Sequence, residues 1–253
     1  MLQNRVIPVL SFKDEGTGII KTKKFKNPTY LGEVLNAVKI FNEKEVDELV
    51  ILDIFATKDS REPNFERIKM VATECFMPLS YGGGIRTLGH IEKAFKQGIE
   101  KVIICSEADN KNLIKEASKI YGSQSIVVCV DIKKNIFGKY RAYRKSGTEQ
   151  IKSSVSDYIQ SLIFNGAGEI IVHFISNDGQ MTGYDLDLLK EISNLVDIPI
   201  VVLGGAGNLQ DFKLAVDNGA SAVAAGSLFV FKGKHKGVLI NYPSQIMLQK
   251  LFK

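Results

Sequence analysis

Four short segments place glycine or other small residues directly after apolar, β-branched runs: Gly82-Gly83-Gly84, Cys105-Ser106, Gly204-Gly205-Ala206-Gly207 and Gly226-Ser227. Without bulky side chains, backbone N–H groups can close on an anion, and a helix that starts there adds a favourable dipole. One glycine turn alone is only a tight connection. Two pairs, around Gly83, Gly84, Cys105 and Ser106 and again around Gly204, Gly205, Gly226 and Ser227, point to two phosphate sites. Such spacing fits a long ligand with a phosphate at each end. Between the pairs, apolar runs end in Asp131, Asp53 and Ser11. A partly desolvated carboxylate can serve as general acid or base near neutral pH. A lone Asp more often caps a helix or pairs with a neighbour, but Asp131 stands between the inferred anion sites. Ser11, at the equivalent place, has no useful pKa. At the opposite ends of the runs stand Arg5, Glu48, Lys101 and Glu169, whose charges sum to zero. Exposed pairs of this kind contribute about 0–1 kcal/mol each. At equivalent positions the four can instead form a ring of salt bridges, and both readings are open.

The elements that must position these residues follow from hydrophobic periodicity. Strands are predicted at Val6–Leu10, Leu49–Ile54, Pro78–Tyr81, Val102–Cys105, Ile126–Val130, Ile170–Phe174, Ile200–Leu203 and Ala222–Ala225. Amphipathic helices alternate with them: Leu31–Lys44, Phe65–Cys75, His90–Lys96, Asn112–Tyr121, Val155–Asn165, Leu186–Asn194 and Leu209–Asn218. Eight apolar strands without a polar edge favour an α/β fold of the closed kind, a (βα)8 TIM barrel, over an open doubly wound sheet. Gly83-Gly84 and Gly98 recur as Gly204-Gly205 and Gly219 at an offset of 121 residues, and DELVILDI recurs as GEIIVHFI at the same offset. RVIPVLSFK aligns with SIVVCVDIK at 120. Four matched segments in one order imply two (βα)4 half-barrels, about 1–121 and 122–253, fused into one domain.

The composition agrees. The chain has 253 residues, 45% hydrophobic and 24% charged, with a formal charge of +5. These values exclude disorder, collagen and coiled coil. No apolar run reaches the roughly 18 residues of a membrane span, and residues 1–12 lack a signal-peptide stretch, so a cytoplasmic protein is expected. The basic cluster Lys21, Lys23, Lys24 and Lys26 reads as a solvated loop or as a cover for an anionic small molecule. It does not read as a nucleic-acid face. Cys75, Cys105 and Cys129 show no metal-ligand spacing and are expected reduced and mostly buried. No metal and no cofactor are expected.

These positions together resemble HisF, the cyclase subunit of imidazole glycerol phosphate synthase, over almost the whole chain. The matching motifs are DELVILD (47–53), PLSYGGGIR (78–86), GSQSIVV (122–128), NGAGEI (165–170), NDG…GYD (177–185) and LGGAGN (203–208). The resemblance implies a HisH-like glutaminase docked at the barrel bottom and ammonia passing through the interior. It also implies a bisphosphate substrate at the mouth. Arg5, Glu48, Lys101 and Glu169 match the family's charged gate at the channel entrance. Lys21 matches a lysine of the first loop that covers substrate, and Asp178 and Gly179 are retained near the substrate.

The departures are specific. The family's two catalytic aspartates lie on the first and fifth strands; Asp131 matches the second, and Ser11 replaces the first. His173 and Phe174 stand where the family has Thr-Ser, and Cys105 replaces an Asn. NAVKIFNEKEVDEL (36–49), KKNIFGKYRAY (133–143) and AAGSLFVFKGKHKGVLINYP (224–243) resemble the WbuZ-like branch associated with glycosyl amidation. That resemblance implies acetamidino-sugar formation for surface polysaccharide, together with a separate sugar amidotransferase. His173 is expected either to line the pocket or to pack in the core.

Overall fold

A computed structural model describes residues 4–13, 18–233 and 235–253. The first strand β1 (Arg5–Phe12) is followed by a hairpin, β2 (Gly18–Lys23) and β3 (Lys26–Glu33), and by α1 (Val34–Glu43). Then come β4 (Leu49–Asp53), α2 (Phe65–Glu74), β5 (Leu79–Gly82), α3 (Leu88–Lys96), β6 (Lys101–Ile104) and α4 (Lys111–Tyr121). The second half begins with β7 (Ile126–Lys134), which turns into β8 (Tyr140–Arg144) and the short β9 (Glu149–Gln150) before α5 (Val155–Phe164). It continues with β10 (Glu169–Phe174), α6 (Leu186–Ser193), β11 (Ile200–Leu203), α7 (Leu209–Asp217) and β12 (Ala222–Ala225). A short α8 (Ser227–Val230), the ribbon β13 (Phe231–Lys232) with β14 (Gly237–Val238), and α9 (Gln245–Leu251) end the chain.

Eight parallel strands pair in the order β10-β11-β12-β1-β4-β5-β6-β7, and β7 pairs back onto β10, so the sheet closes into a (βα)8 barrel. Both faces of each strand are covered, which is why these segments read as continuous apolar runs. Alternate residues divide between two packing regions. Val6, Leu10, Ile51, Val102 and Val128 face the helices. Ile7, Val9, Val50, Ile103, Val127, Ile171, Val201 and Leu203 fill the lumen. The same two-residue period carries Ser11, Cys105, Cys129, Asp131 and His173 onto the lumen side at the top. Side chains of Asn64, Thr87, Asn110, Ser154, Asp185 and Asn208 cap the helices that follow them. Each such cap contributes about 0.5–2 kcal/mol and fixes where its helix leaves the barrel mouth.

Several boundaries differ from expectation. The first helix begins at Val34 rather than Leu31, because residues 31–33 belong to β3, where Gly32 and Glu33 pair with Ile19 and Gly18 of β2. The lysine cluster is therefore hairpin, not irregular loop; Lys24 and Phe25 take positive φ values of 51° and 64° at its turn. β1 and β7 run past their expected ends because each pairs with a hairpin strand, Ser11 opposite Ile20 and Asp131 opposite Tyr143. Ser11 and Asp131 thus lie within strands rather than terminating them.

Candidate functional site

At the mouth, above the C-terminal ends of the strands, lies a cavity of about 150 Å³. Asp53, Gly83, Gly84, Cys105, Ser106, Cys129, Asp131 and His173 line it, and Phe25 of the hairpin turn closes one side. On its wall His173 Nδ1 lies 2.9 Å from Asp131 Oδ1. Its Nε2 lies 3.9 Å from Asp178 Oδ1, which accepts a 2.8 Å hydrogen bond from Lys21 Nζ. Asp131, His173, Asp178 and Lys21 therefore form one row of alternating charge. Burial works against the imidazolium, but the hydrogen bond to Asp131 and the nearness of Asp178 outweigh it, so the His173 pKa is raised well above 6.5. Burial would likewise raise Asp178, yet His173 and Lys21 hold it down at about 2. His173 is both buried and pocket-lining, so the two sequence expectations for it are not exclusive.

The glycine-rich segments border two separate hollows. Gly83, Gly84, Cys105 and Ser106 border the large cavity. Asp178, Gly179, Gly204, Gly205, Gly226 and Ser227 border a second hollow of about 10 Å³. There the Ser227 hydroxyl is buried with no hydrogen-bond partner among the described residues. An unpaired buried hydroxyl costs about 1–3 kcal/mol, which an anion accepting its proton would recover. The Lys21 stem passes close to Gly226 of this hollow: a Cβ on that glycine would come within 3.2 Å of the Lys21 Cε. Gly204 takes φ +94°, and a Cβ there would stand 2.7 Å from the Phe174 carbonyl and 3.0 Å from the His173 ring. Glycine is therefore what lets the second segment pass against His173.

Other expected residues are differently engaged. Asp53 borders the cavity, but it accepts from the Phe55 and Ala56 amides at 3.1 and 2.9 Å and from Arg61 at 3.1 Å. It organises the loop after β4. Ser11 is buried beside β2 and is not among the residues lining the cavity. Cys129 is a site residue the sequence spacing did not single out. Parallel register pairs Ile104 with Val128, so the next residues, Cys105 and Cys129, stand side by side. Their sulfurs and an Asp131 oxygen lie within 4.8 Å of one another. Contact with the Cys105 thiol lowers the Cys129 pKa despite burial, and the same contact with burial raises that of Cys105.

At the barrel base the four strand-start charges face one another. Arg5 bonds Glu48 and Glu169, and Lys101 bonds the same two carboxylates at 3.0 and 2.9 Å. Ser80 donates to the remaining Glu48 oxygen at 2.7 Å. The quartet is a closed ring rather than four separate surface charges. Above it lies a small void lined by Ile7, Val9, Val50, Val127 and Val201. Ile103, Ile171 and Leu203 border both this void and the mouth cavity. One apolar layer separates base from mouth.

The family described as histidine biosynthesis protein matches residues 5–236. A Vibrio vulnificus protein provisionally named imidazole glycerol phosphate synthase subunit hisF3 is 48% identical over 96% of this chain and 94% of its own. A Leptospira interrogans protein provisionally named imidazole glycerol phosphate synthase subunit HisF is 45% identical over 100% of both chains. The imidazole glycerol phosphate synthase subunit HisF of Streptococcus mutans is 36% identical over 90% of this chain and 91% of its own. Among the described residues no helix is long and apolar enough to cross a membrane. With a closed barrel, a charged ring at its base and glycine-rich segments lining two hollows at its mouth, the chain belongs to the histidine biosynthesis protein family, as a HisF-like subunit.

Proposed function

We propose that this barrel is the ammonia-accepting subunit of a glutamine-dependent synthase. A HisH-like glutaminase would sit at its base and a phosphorylated acceptor at its mouth. The observation that carries this reading is the closed ring of Arg5, Glu48, Lys101 and Glu169 beneath an apolar lumen only one layer short of the mouth cavity. An apolar conduit passes neutral ammonia and rejects ammonium, whose desolvation is costly. Phe76, Ile120 and Phe164 support a partner at that end: they are 85%, 60% and 91% exposed, and all lie at helix C-termini or strand approaches on the base side. Exposed apolar groups gathered at one end of a molecule favour a protein interface there. At the mouth Asp131 would act as acid–base group. His173 would hold its carboxylate and supply the second ionisable group that Ser11 lacks.

The leading reading of the acceptor chemistry is acetamidino-sugar formation in surface polysaccharide biosynthesis, with a sugar amidotransferase downstream. Ser11 and the rebuilt wall at His173 support it. A second reading, the cyclase of histidine biosynthesis, is favoured by the names of the relatives. It predicts turnover of the aminoimidazole bisphosphate, rising in Ser11→Asp. No turnover in either form leaves the amidination reading. In an assay reconstituted with the glutaminase, Lys101→Ala should lose glutamine-dependent but not ammonium-dependent activity. Asp131→Asn should lose about 10²–10⁴-fold with either nitrogen source. Full activity in Asp131→Asn would reduce the barrel to a scaffold that only conducts ammonia.

A further inference from the structure

We propose that Cys105, Cys129 and Asp131 form a zinc site at the floor of the mouth cavity, with the fourth position open to that cavity. Parallel register sets the two cysteines side by side on β6 and β7, and lumen-facing alternation points both inward with Asp131 two residues further along β7. All three donor atoms fall within 4.8 Å of one another. The Cys105 sulfur lies 3.6 Å from Asp131 Oδ2. A tetrahedral zinc with Zn–S of about 2.3 Å and Zn–O of about 2.0 Å sets such a pair about 3.5 Å apart. The Cys105–Asp131 edge thus already has the length of a coordination-tetrahedron edge, and the Cys129 sulfur lies within 4.8 Å of both.

Donor chemistry narrows the metal. Two thiolates with one carboxylate suit zinc, whereas magnesium and calcium require oxygen ligands throughout. Asp131 is also oriented as a ligand should be: His173 holds Oδ1 at 2.9 Å, leaving Oδ2 to face the thiols. With an ion bound Asp131 is a ligand, so the acid–base role proposed for it above belongs to the metal-free chain. Such outer-shell hydrogen bonds fix a ligand's direction. Three protein ligands with one open position is the arrangement of a reactive zinc rather than a structural one. Here the open position faces the 150 Å³ cavity. Binding releases the two thiol protons to solvent, so it tightens as pH rises. An ordinary thiol–carboxylate hydrogen bond would also give 3.6 Å, and the experiment separates the two.

The full chain, reduced and stripped with a chelator, is titrated with cobalt(II) and then with zinc(II) in competition. The partner and the reaction are not needed, so the outcome is independent of the proposed function. One ion per chain is expected, with a thiolate-to-cobalt charge-transfer band displaced by zinc. Cys105→Ser and Cys129→Ser should each abolish the band, while Cys75→Ser, at the far end of the barrel, keeps it. His173→Gln should weaken binding about 10–100-fold without removing the band. Circular dichroism checks that each variant is folded; Cys129→Ala serves where Cys129→Ser is not. The absence of a band in the reduced wild-type chain overturns the proposal, as does a band that survives both cysteine substitutions. A Cys105–Cys129 disulfide in protein isolated under reducing conditions overturns it equally.

Discussion

His173 faces two carboxylates, and that fact sets how the mouth responds to pH. Its pKa is raised in the folded chain, so folding retains a proton that the unfolded chain releases near 6.5. The stabilisation is complete below that pH and disappears as pH rises through the folded value. Asp178 acts at the other end. Its fall from 3.8 to about 2 corresponds to about 2 kcal/mol, present above pH 3.8 and lost as pH drops toward 2. Urea unfolding of His173→Gln should therefore show a flatter loss of stability above about pH 6.5 than the wild-type chain. An unchanged slope would mean that the Asp131–His173 pair is not its source. The sequence placed Asp131 and His173 on neighbouring strand ends but could not show their contact. That depends on register, with His173 directly opposite Asp131 across β10 and β7.

At the scale of elements, the barrel strands were legible because both faces are buried and the runs are uniformly apolar. The hairpins were not. KTKKFKNPTY is charged, and its pairing strand β3 is largely exposed, so no alternation marks it. Yet this hairpin reaches the site: the Lys24 amide bonds the Asp178 carbonyl at 3.1 Å, and the Phe25 ring lies 5.2 Å from that of His173. Lys21→Ala removes the ion pair that ties the hairpin to Asp178. Amide exchange across residues 18–33 should then accelerate while exchange in β10 stays slow; equal protection in both chains would show that backbone pairing alone holds the hairpin down. Gly204 makes a stricter test, since its positive φ and the adjacent Phe174 carbonyl leave no room for a methyl group. Gly204→Ala should destabilise the fold by more than about 1 kcal/mol in denaturant titration.

Across the whole molecule, the two ends of the barrel were unequally readable. The four basal charges stood out because they occupy equivalent strand starts, although sequence left ring and surface readings equal. The thiol–carboxylate cluster was hidden because Cys105 and Cys129 are remote in sequence and meet only through strand pairing. We propose that β1 and β7, each running on into a hairpin, are equivalent strands of two fused halves. The ring joins those halves: Arg5, Glu48 and Lys101 come from the first and Glu169 from the second. Glu48 and Glu169 have side chains only 5% and 6% exposed, so each carboxylate depends on its cations for compensation. Glu169→Ala leaves Arg5 and Lys101 crowded over one acid, and removing one partner of a buried ion pair costs about 3–5 kcal/mol. Replacing Lys101 and Glu169 together by methionine leaves Arg5 paired with Glu48 and should cost less than the single change. Chemical denaturation of the three chains decides the matter. If Glu169→Ala unfolds at the wild-type midpoint, solvent rather than the ring compensates the charges at the base.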